Sequence, residues 1–481
     1  MAEEKRPWDL LIIGGGATGL GVAVDASSRG YRVLLVEQHD FAKATSSRST
    51  KLVHGGVRYL QQGDVSMVVE ALHERGRLWR NAPHLVKDMR FIIGNYRWWE
   101  RPFYTIGLCC YDLLAGRLGL GRSLPLSKKQ TLKELPGLLH DHLRGGVVYH
   151  DGQFDDSRMA ITLMQSAHDH GAICINYMKV TSLIKNDSGK ICGAALEDTL
   201  EGGTYEVNVK GVVNATGVYV DDIMQMDKPE SRKKVRPSQG VHIVVDAAFL
   251  GGNSALMIPK TRDGRVLFGV PWHGKAVLGT TDTPLNENSL EPKPLDEEID
   301  FILDQAGQYL TRKPKRSDVL SVFAGLRPLA APTHSDSKKT KEISRNHKIY
   351  VSDSGMLTIT GGKWTTYRQM AEEAVNKVAA LIGLEPRACV TRKMQLHGYR
   401  EEVDRSVWDY VYGSDADQIA ALIENDASLG ELLHIGYTFR VAHVIWAVRE
   451  EMAQTVEDVL ARRVRALFMD CLLYTSPSPR D

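Results

Sequence analysis

The amino-acid sequence predicts an α/β fold, α+β in its overall composition, that ends in an all-helical domain. Three observations support this prediction. A strand, a glycine turn, a helix and a second strand follow one another at the start, the middle of the chain favours strands and turns, and the last part consists of successive helices. With 481 residues, 43% of them hydrophobic and 25% charged, the chain is long enough for two or three domains.

The first element is a βαβ unit. Apolar residues run from Leu10 to Ile13, a glycine cluster follows, and the stretch from Leu20 to Ser28 is rich in alanine and valine. Gly30 then forms a turn before a second apolar run from Val33 to Val36. Two short apolar runs on either side of a helical stretch are typical of one βαβ unit.

The central part of the chain combines one helix with many short strands. Residues Asp156 to His170 keep helical spacing, whereas Ile173 to Asn214 consists of short β-branched runs separated by turn residues. Its last run, Gly211 to Gly217, reads as a buried strand that ends in a tight turn. Strands return between about residues 232 and 350, with one helical insert near 296–309. We interpret this last region as a second, interleaved domain whose mixed sheet forms a wall of the ligand site.

The chain becomes helical towards its C-terminus. Residues Trp364 to Leu381 are helical by spacing, and from about Glu401 onward hardly any strand signal remains. We therefore predict a C-terminal helical domain over residues 391–470. Residues 471–481 contain two prolines and no apolar face, so they are predicted to form an irregular tail.

Charge and cysteine content exclude several classes of protein. The formal net charge is +1, from 60 Lys and Arg against 59 Asp and Glu, so no global field attracts nucleic acid. The six cysteines are scattered and form no CxxC pair, which argues against a metal site and against a disulfide framework. The first residues, MAEEKRPWD, do not resemble a signal peptide, and we expect a cytoplasmic protein.

A glycine-rich motif between the first strand and the first helix is the strongest local signal. Gly14, Gly16 and Gly19 fit the dinucleotide-binding fingerprint of a Rossmann-type domain. A pyrophosphate would sit at the helix N-terminus, where free N–H groups and the helix dipole favour anions. Glu37 ends the second strand, where a carboxylate accepts hydrogen bonds from ribose hydroxyls and repels a 2′-phosphate. A plain glycine-rich turn is the alternative, but the complete unit predicts a dinucleotide without a 2′-phosphate.

The segment Ala44 to Leu60 is dense in hydroxyls, small residues and cations, which a simple nicotinamide domain does not require. It closely resembles a segment of the FAD-dependent, respiratory glycerol-3-phosphate dehydrogenase family, TSS…S(T/S)KL(I/V)HGG(L/V)RYL. The resemblance extends from Asp9 to about Asp470. Further segments of that family follow in the same order: GVVNATGVYVDD (211–222), RPSQGVHIVV (236–245), GTTDTP (279–284), FAGLRP (323–328) and GGKWTTYR (361–368).

The resemblance implies that the dinucleotide is FAD. Gly361 and Gly362 let the backbone approach a ligand closely, and the helix after them directs its positive end at a reduced flavin. Lys363 would add a cation near the flavin or the substrate, and a glycine N-cap with a solvated lysine is the alternative. The residues expected to contact FAD are Gly14, Gly16, Ala17, Thr18, Gly19, Glu37, Thr45, Ser46, Ser47, Lys51, Leu52, His54, Val180, Gly217, Gly361 and Gly362.

The same resemblance implies oxidation of a secondary alcohol, sn-glycerol 3-phosphate, to dihydroxyacetone phosphate. A hydride would pass to flavin N5 while a base takes the hydroxyl proton, and histidine suits that proton near neutral pH. His242, in the strand Val241 to Val245, is the candidate base because the family has an active-site histidine in this motif. His54 is a weaker rival that rather packs near the cofactor, and a core histidine is the alternative for His242.

The substrate phosphate requires cations. The planar guanidinium of arginine pairs with phosphate oxygens through two parallel hydrogen bonds. By resemblance, Arg327 and Arg345 would bind the phosphate, and Arg58 and Tyr59 would contact the substrate from the HGGVRYL segment. Ordinary surface residues are the alternative for all four.

Residues Tyr96 to Arg122 combine aromatic and leucine side chains with arginines. Pro102, Asp112 and the arginines interrupt the run, whereas a helix that spans a bilayer needs about 20 mostly apolar residues. The segment therefore fits a position in the membrane interface, and a buried helical hairpin is the alternative. The family's bacterial members are peripheral membrane enzymes that reduce quinone, which implies attachment to the inner face of the cell membrane.

The electron acceptor and the oligomeric state are left open by the residues. Quinone is expected as the acceptor, and a glycerol-3-phosphate oxidase that uses oxygen is the alternative. A flavin-dependent amine, amino-acid or 2-hydroxy-acid oxidoreductase would share the glycine motif and the split domain plan, and a non-catalytic flavin-binding module would share the motif. A homodimer is compatible with the resemblance.

The motifs also predict the domain boundaries. Residues 1–390 hold an FAD-binding domain, of about 8–95, 150–235 and 350–385, interleaved with a substrate-binding domain of about 236–349. Residues of about 95–125 form the membrane-contact insert, and the helical domain follows.

Overall fold

A computed structural model describes residues 6–61, 63–330 and 347–471 of the chain. Within these residues the strands form an eight-stranded and a ten-stranded sheet. In chain order the strands are β1 (Trp8–Ile13), β2 (Val33–Val36), β3 (Leu52–Val53), β4 (Lys87–Asn95), β5 (Leu124–Ser127), β6 (Gly145–Gln153), β7 (Ile173–Ile175), β8 (Met178–Lys185), β9 (Ile191–Asp198), β10 (Thr204–Asn214), β11 (Val235–Asp246), β12 (Ala255–Ile258), β13 (Leu267–Trp272), β14 (Lys275–Gly279), β15 (Thr283–Pro284), β16 (Ser321–Ala330), β17 (Lys348–Val351) and β18 (Leu357–Thr360).

Helices occur where the sequence predicts them. The predicted helices at 156–170 and 296–309 are present, and the one at 364–381 begins with a 3₁₀ turn before its α-helical part. In chain order the α-helices are α1 (Ala17–Ser28), α2 (Val57–Gln61), α3 (Val65–Asn81), α4 (Glu100–Ala115), α5 (Lys128–Glu134), α6 (Asp156–Asp169), α7 (Val220–Asp227), α8 (Asp296–Gly307), α9 (Tyr367–Leu381), α10 (Ala416–Asn425), α11 (Val441–Glu450) and α12 (Ala466–Met469).

The first sheet is the predicted βαβ unit, extended on both sides. Its parallel strands lie in the order β7, β2, β1, β10 and β18, and β17 pairs antiparallel with β18 at the edge. β1 and β2 are almost wholly buried apolar runs, as expected for parallel strands that are covered on both faces. The first crossover is α1, which packs against α6 and α9. The Rossmann-type prediction is therefore confirmed.

An antiparallel extension covers the second face of this sheet. β8, β9 and the first half of β10 pair antiparallel. Their apolar residues, such as Val180 and Leu196, share a core with Trp8 and Leu11 of β1. This confirms the predicted strand-rich region, and it brings β8 next to the carboxyl ends of β1 and β2.

The second sheet is built around the long strand β11, which pairs antiparallel with β14, β15 and β16. The sheet is mixed, as predicted, because β12 pairs in parallel with β4. Along β11 the side chains alternate. Val241, Ile243 and Val245 lie in a core shared with α8, whereas His242 contacts Thr50 of the first domain. One face of β11 is thus turned towards the ligand-binding part of the first domain.

The region after α9 consists of short helices and turns. Among its described residues, the only β pairing is a single bridge between Leu432 and Arg440. This confirms the predicted all-helical C-terminal domain, whereas residues 472–481 of the predicted tail lie outside the described residues. Trp408, Phe439 and Trp446 share one hydrophobic core with α1 and α6, so the helical domain packs directly on the first domain.

The predicted membrane-contact segment forms one helix, α4, followed by a 3₁₀ turn. The alternative of a helical hairpin is thus wrong for the described residues. Leu108 and Tyr111 are buried on one face of α4, while Phe103, Ile106 and Leu113 are exposed. In the part of the chain that the structure describes, no helix has the length and apolar character needed to cross a membrane.

Candidate active site

A cavity of about 330 Å³ lies at the carboxyl ends of β1, β2 and β10. Ligands of open α/β sheets bind at this edge, because loops and helix N-termini meet there. Lys363 is among the lining residues. The residues that were predicted to contact FAD and that line the cavity are Gly14, Gly16, Ala17, Thr18, Glu37, Thr45, Ser46, Val180, Gly217, Gly361 and Gly362.

The start of α1 is shaped for a phosphate group. Gly14 has φ = +111°, and a Cβ added there would lie 2.8 Å from the carbonyl oxygen of Ala215, so only glycine fits. Gly16 is the N-cap residue of α1 and supplies no side-chain cap. The N–H groups of the first turn and the helix dipole therefore favour an anion beside Gly16.

Glu37 is held at the end of β2 by two backbone donors. Its carboxylate accepts hydrogen bonds from the N–H of Gly15 at 2.7 Å and from the N–H of His39 at 2.9 Å. Burial raises the pKa of Glu37, and the two N–H donors oppose that shift without cancelling it. The remaining lone pairs are available to hydroxyl donors, which matches the predicted contact with a ribose.

Ser46 connects three parts of the cavity wall. Its hydroxyl accepts a hydrogen bond from the N–H of Ala17 at 2.9 Å, and its carbonyl accepts one from Trp364 Nε1 at 2.9 Å. The neighbouring hydroxyl of Thr45 donates to the carbonyl of Leu326 at 2.6 Å. The segment Thr45–Ser47 thus joins the start of α1, the segment after β18 and the substrate-side strand β16.

Lys51 and Ser47, which were also predicted to contact FAD, are not among the residues that line the cavity, and their contact with FAD stays a prediction. Both residues are buried, and the Lys51 ammonium donates to Asp156 at 2.7 Å and to the Ser47 carbonyl at 2.7 Å. Burial lowers the pKa of Lys51 to about 7, although Asp156 attracts the charged form. The Lys51 ammonium is thus paired with a fully buried carboxylate.

Three other predicted cofactor residues also lie outside the cavity lining. A Cβ at Gly19 would lie 1.9 Å from the carbonyl oxygen of Gly14, so this glycine permits close packing of α1 on β1. Leu52 is buried in a core beneath the sheet. His54 donates its backbone N–H to the Thr365 hydroxyl at 3.1 Å, next to the segment after β18. These residues support the cavity from behind.

Two consecutive glycines form the wall opposite the start of α1. Gly361 and Gly362 both have φ = +79°, in the left-handed region that glycine adopts without strain. They precede the 3₁₀ turn Trp364–Thr366 and α9, as the sequence predicts. The ammonium of Lys363 lies 4.1 Å from the centre of the Tyr59 ring, a cation–π contact. Lys363 and Tyr59 are thus brought together.

Arg327 lies on β16, paired with Ser238 of β11, and its guanidinium lies over Gly240. A Cβ at Gly240 would be 2.3 Å from Arg327 Nη2, so the guanidinium occupies the space that a side chain would fill. Its nitrogens donate to the Thr280 hydroxyl at 3.0 Å and to the Thr281 carbonyl at 3.0 Å, and Asp282 lies 3.3 Å away. With 23% of its side chain exposed, Arg327 is positioned before any ligand binds.

His242 is held in one orientation beside Arg327. Its Nε2 lies 2.9 Å from the Thr50 hydroxyl, and its ring stacks on Phe323 with the ring centres 4.9 Å apart. A Cβ at Gly279 would lie 2.3 Å from the ring, so this glycine is needed on the other edge. Burial, together with the positive charges of Arg327 and Lys51, holds the pKa of His242 well below its ordinary value. The imidazole is therefore neutral at pH 7.

The other predicted substrate contacts are placed differently. Arg58 and Tyr59 lie on α2, on the Lys363 side of the site. Arg345 lies outside the described residues. Among the residues that the structure describes, no group of histidine, cysteine and carboxylate side chains is arranged for a metal ion, and none was predicted.

Sequence reasoning missed Thr50 and Asp282, which position His242 and Arg327. Both residues stand inside recognised segments, but they contact residues more than forty positions away in the chain. In the sequence, both residues show only a polar group close to a glycine motif. The residue that each one contacts could be identified only from the structure.

Two family models match the chain. The model described as FAD dependent oxidoreductase matches residues 9–368, and the model described as C-terminal domain of alpha-glycerophosphate oxidase matches residues 357–475. The first match spans both interleaved domains, and the second spans the helical domain. Together they cover both sheets and the C-terminal helices.

Relatives of known name are similar over almost the whole chain. The chain is 40% identical over 498 residues to the probable mitochondrial glycerol-3-phosphate dehydrogenase of Caenorhabditis elegans, covering 97% of this chain and 68% of that protein. It is 41% identical over 513 residues to the mitochondrial glycerol-3-phosphate dehydrogenase of Arabidopsis thaliana, covering 98% and 81%. The X-ray structure of the Bacillus halodurans glycerol-3-phosphate dehydrogenase complexed with FAD has a TM-score of 0.78 at 32% identity, covering 98% of this chain and 88% of that one.

The residues of the cavity fit FAD. Gly14 and Gly16 leave room for a pyrophosphate at the start of α1, and Glu37 offers acceptors to a ribose. Gly361 and Gly362, whose backbone lets a ligand approach closely, line the same cavity. FAD is therefore the cofactor, as predicted. The chain belongs to the FAD-dependent oxidoreductases and, among them, to the glycerol-3-phosphate dehydrogenase family.

Proposed function

We propose that this protein oxidises sn-glycerol 3-phosphate to dihydroxyacetone phosphate. The single observation that most supports this is the position of Arg327, a partly exposed guanidinium that lies over Gly240. It is close enough to the neutral His242 to lower the pKa of that residue. A cation for the phosphate and a base for the hydroxyl thus lie on one face of the second sheet. Bound FAD supplies the hydride acceptor, N5, for the C2–H bond.

Arg327 is proposed to bind the substrate phosphate. Its hydroxyl, carbonyl and carboxylate partners fix the guanidinium in place, so little side-chain entropy is lost when a ligand binds. A guanidinium pairs with phosphate oxygens about twice as strongly as a neutral donor does. Arg345 is proposed as the second cation, from the family resemblance.

His242 is proposed as the base that takes the hydroxyl proton. A base must be unprotonated when the substrate arrives, and the lowered pKa of His242 meets that condition at pH 7. The Thr50 hydroxyl contacts Nε2, and Nδ1 is buried without a hydrogen-bond partner among the described residues. The proton therefore reaches the ring on the Thr50 side.

Lys363, Tyr59 and Arg58 are proposed to complete the site opposite the second sheet. The cation–π contact holds the Lys363 ammonium above the Tyr59 ring, next to the glycine pair that lines the cavity. A cation in this position stabilises negative charge on a reduced flavin or on the substrate. Arg58, one residue before Tyr59 on α2, adds positive charge on the same side.

Reduction of the flavin by substrate tests the proposal directly. Anaerobic addition of sn-glycerol 3-phosphate to the purified yellow protein should bleach the flavin absorbance. D-amino acids, amines and 2-hydroxy acids, added at the same concentration, should leave the absorbance unchanged. Bleaching by one of these compounds but not by glycerol 3-phosphate would replace the proposal with one of the alternative oxidoreductase functions. No bleaching by any of them would favour a non-catalytic flavin-binding protein.

We further propose that α4 attaches the protein to the inner face of the cell membrane. Phe103, Ile106 and Leu113 recur at helical spacing on the face of α4 opposite to its buried side chains, and their exposed fractions are 54%, 66% and 80%. Exposed arginines at 97, 101, 117 and 122 flank this stripe. Apolar side chains with basic flanks suit an interfacial helix on anionic lipid.

A single substitution that places a negative charge in the apolar stripe tests the attachment. Leu113→Glu should abolish co-flotation of the holoenzyme with vesicles of anionic phospholipid, because a carboxylate in the apolar stripe opposes its burial in lipid. Ile435→Glu is the matched control, since Ile435 is 95% exposed on the helical domain, away from α4. Loss of flotation in both variants, or in neither, would contradict the assignment to α4.

Quinone is proposed as the electron acceptor, since a membrane-bound position brings the flavin close to a lipid-soluble oxidant. The reduced enzyme should be reoxidised faster by a soluble quinone than by dissolved oxygen at equal concentration. Faster reoxidation by oxygen would make the protein a glycerol-3-phosphate oxidase.

A homodimer is the proposed assembly. A measurement of the molecular mass in solution tests this proposal.

A further inference from the structure

Three arginines near the C-terminus are buried where the helical domain packs on the FAD-binding domain. Arg462, Arg463 and Arg465 have exposed fractions of 2% or less. Arg462 and Arg463 both donate to the carboxylate of Asp40. A buried arginine is tolerated only when its charge is paired, so the loss of either partner in these contacts would be strongly destabilising.

Arg465 reaches the segment Thr45–Lys51 directly. Its Nη2 donates to the carbonyl of Ser47 at 2.8 Å and to Asp156 at 3.1 Å. The backbone of Arg465 has φ = +66°, in the left-handed region that residues other than glycine seldom adopt. Arg465 thus combines contacts to the FAD-binding domain with a backbone conformation that is unusual for its residue type.

Asp156 fixes the other end of the same segment. Its carboxylate accepts hydrogen bonds from the N–H of Ser49 at 2.9 Å and from the Ser49 hydroxyl at 2.7 Å. It also accepts from the Lys51 ammonium, which in turn donates to the Ser47 carbonyl. Two cations, Lys51 and Arg465, therefore converge on one carbonyl oxygen and on one carboxylate.

The residue next to Ser47 is part of the cavity wall. Ser46 accepts the N–H of Ala17, the first residue of α1, and its carbonyl accepts Trp364 Nε1. Ser46, Ala17 and Trp364 all line the cavity. A shift of the Ser47 carbonyl is thus transmitted through one peptide unit to both sides of the cofactor site.

We propose that Arg465 is a positioning residue for FAD, so that the helical C-terminal domain supports the cofactor site from outside the cavity. Arg465 is not among the residues that line the cavity. It acts through Ser47 and Asp156, by holding the segment Thr45–Lys51 against the start of α1. The inference depends on FAD binding and does not depend on which alcohol is oxidised.

The test compares FAD affinity in two variants of the same domain contact. Arg465→Met removes the hydrogen bonds to Ser47 and Asp156, together with the one to Ala461 and the ion pair with Asp155, and keeps most of the side-chain volume. Arg158→Met is the matched control, because Arg158 is 2% exposed and donates to Glu451 and the Arg463 carbonyl, across the same contact. FAD is removed from each full-length protein, and the dissociation constant is measured by titration with FAD while the unfolding temperature is recorded in parallel.

Arg465→Met should raise the dissociation constant of FAD at least about tenfold, the effect of losing a charged hydrogen bond. Both variants should lower the unfolding temperature by a similar amount. Arg158→Met should nevertheless leave the FAD dissociation constant within about threefold of the wild-type value. Arg465→Lys, which keeps the charge, should fall between wild type and Arg465→Met. If Arg465→Met does not fold, the rate of FAD release from the Arg465→Lys holoenzyme provides the same comparison.

Equal FAD dissociation constants for Arg465→Met and Arg158→Met would overturn the proposal, since Arg465 would then serve only the stability of the domain contact. Equal release rates for Arg465→Lys and wild type would overturn it as well. A failure of glycerol 3-phosphate to reduce the flavin affects neither measurement. The two hypotheses are therefore tested separately.

Discussion

The two ends of the active site are built in different ways. At the pyrophosphate end, Gly14, Gly16 and Glu37 belong to one βαβ unit, and two glycines leave room for a ligand at the start of α1. At the proposed substrate end, Arg327 and His242 come from paired strands of the second sheet, and the chemistry is proposed to come from side chains. The first end depends on local geometry, and the second depends on how distant segments are paired.

This difference predicts two kinds of failure. A site made of backbone groups has no room for an extra atom, so one methyl group blocks it completely. A site made of charged side chains loses affinity or rate by the energy of one interaction, so its failures are graded. Substitutions at the two ends test this contrast.

Gly19→Ala should abolish FAD binding. The added Cβ would lie 1.9 Å from the Gly14 carbonyl oxygen, so α1 has to move away from β1 and the phosphate-binding turn is lost. The flavin absorbance of the purified protein measures the result. Gly107→Ala, on α4, is the control, because no atom lies within 4 Å of its added Cβ. A Gly19→Ala protein that keeps its flavin would show that backbone contact does not decide this end of the site.

Much of the pyrophosphate end could be predicted from sequence, because its determinants are close together in the chain. The spacing of Gly14, Gly16 and Gly19, followed by Glu37, encodes a strand, a turn and a helix in one short stretch. Both glycines after β18 were predicted from the family resemblance, and both line the cavity. The fold class followed from the same periodicities.

Other features required the structure because the relevant contacts are distant in sequence. Nothing in the pattern of Thr45 to Lys51 shows which residues line the cavity. Thr45, Ser46, Ser47 and Lys51 were predicted together as cofactor contacts, and only Thr45 and Ser46 line it. Thr50 and Asp282 gained a role only through contacts with His242 on β11 and with Arg327 on β16, which are distant from them in the chain. Single sequences do not specify such contacts.

His242→Gln should lower kcat by about 10²- to 10⁴-fold, the usual contribution of a general base. Glutamine has a similar size and keeps a polar group near Thr50, so FAD content should not change. In the wild type, kcat/KM should stay constant as the pH falls through 6.5, because the lowered pKa of His242 keeps the base unprotonated there. Anaerobic stopped-flow measurement of flavin reduction gives both results. An acid limb near pH 6.5, or a larger loss in His54→Gln than in His242→Gln, would favour His54 as the base.

Arg327→Met should reduce kcat/KM for glycerol 3-phosphate by about 10- to 100-fold, because a charged hydrogen bond contributes about 1.5–3 kcal/mol. The loss should appear mainly in KM, and the slow reaction with glycerol, which has no phosphate, should be unchanged. Gly240→Ala should produce a smaller loss, since its Cβ would lie 2.3 Å from Arg327 Nη2 and displace the guanidinium without removing it. Combining the two substitutions should add nothing to Arg327→Met, because the alanine then has no guanidinium to displace. Additive losses, or an equal loss with glycerol, would show that Arg327 does not bind the phosphate and that this end of the site is as dependent on backbone space as the other.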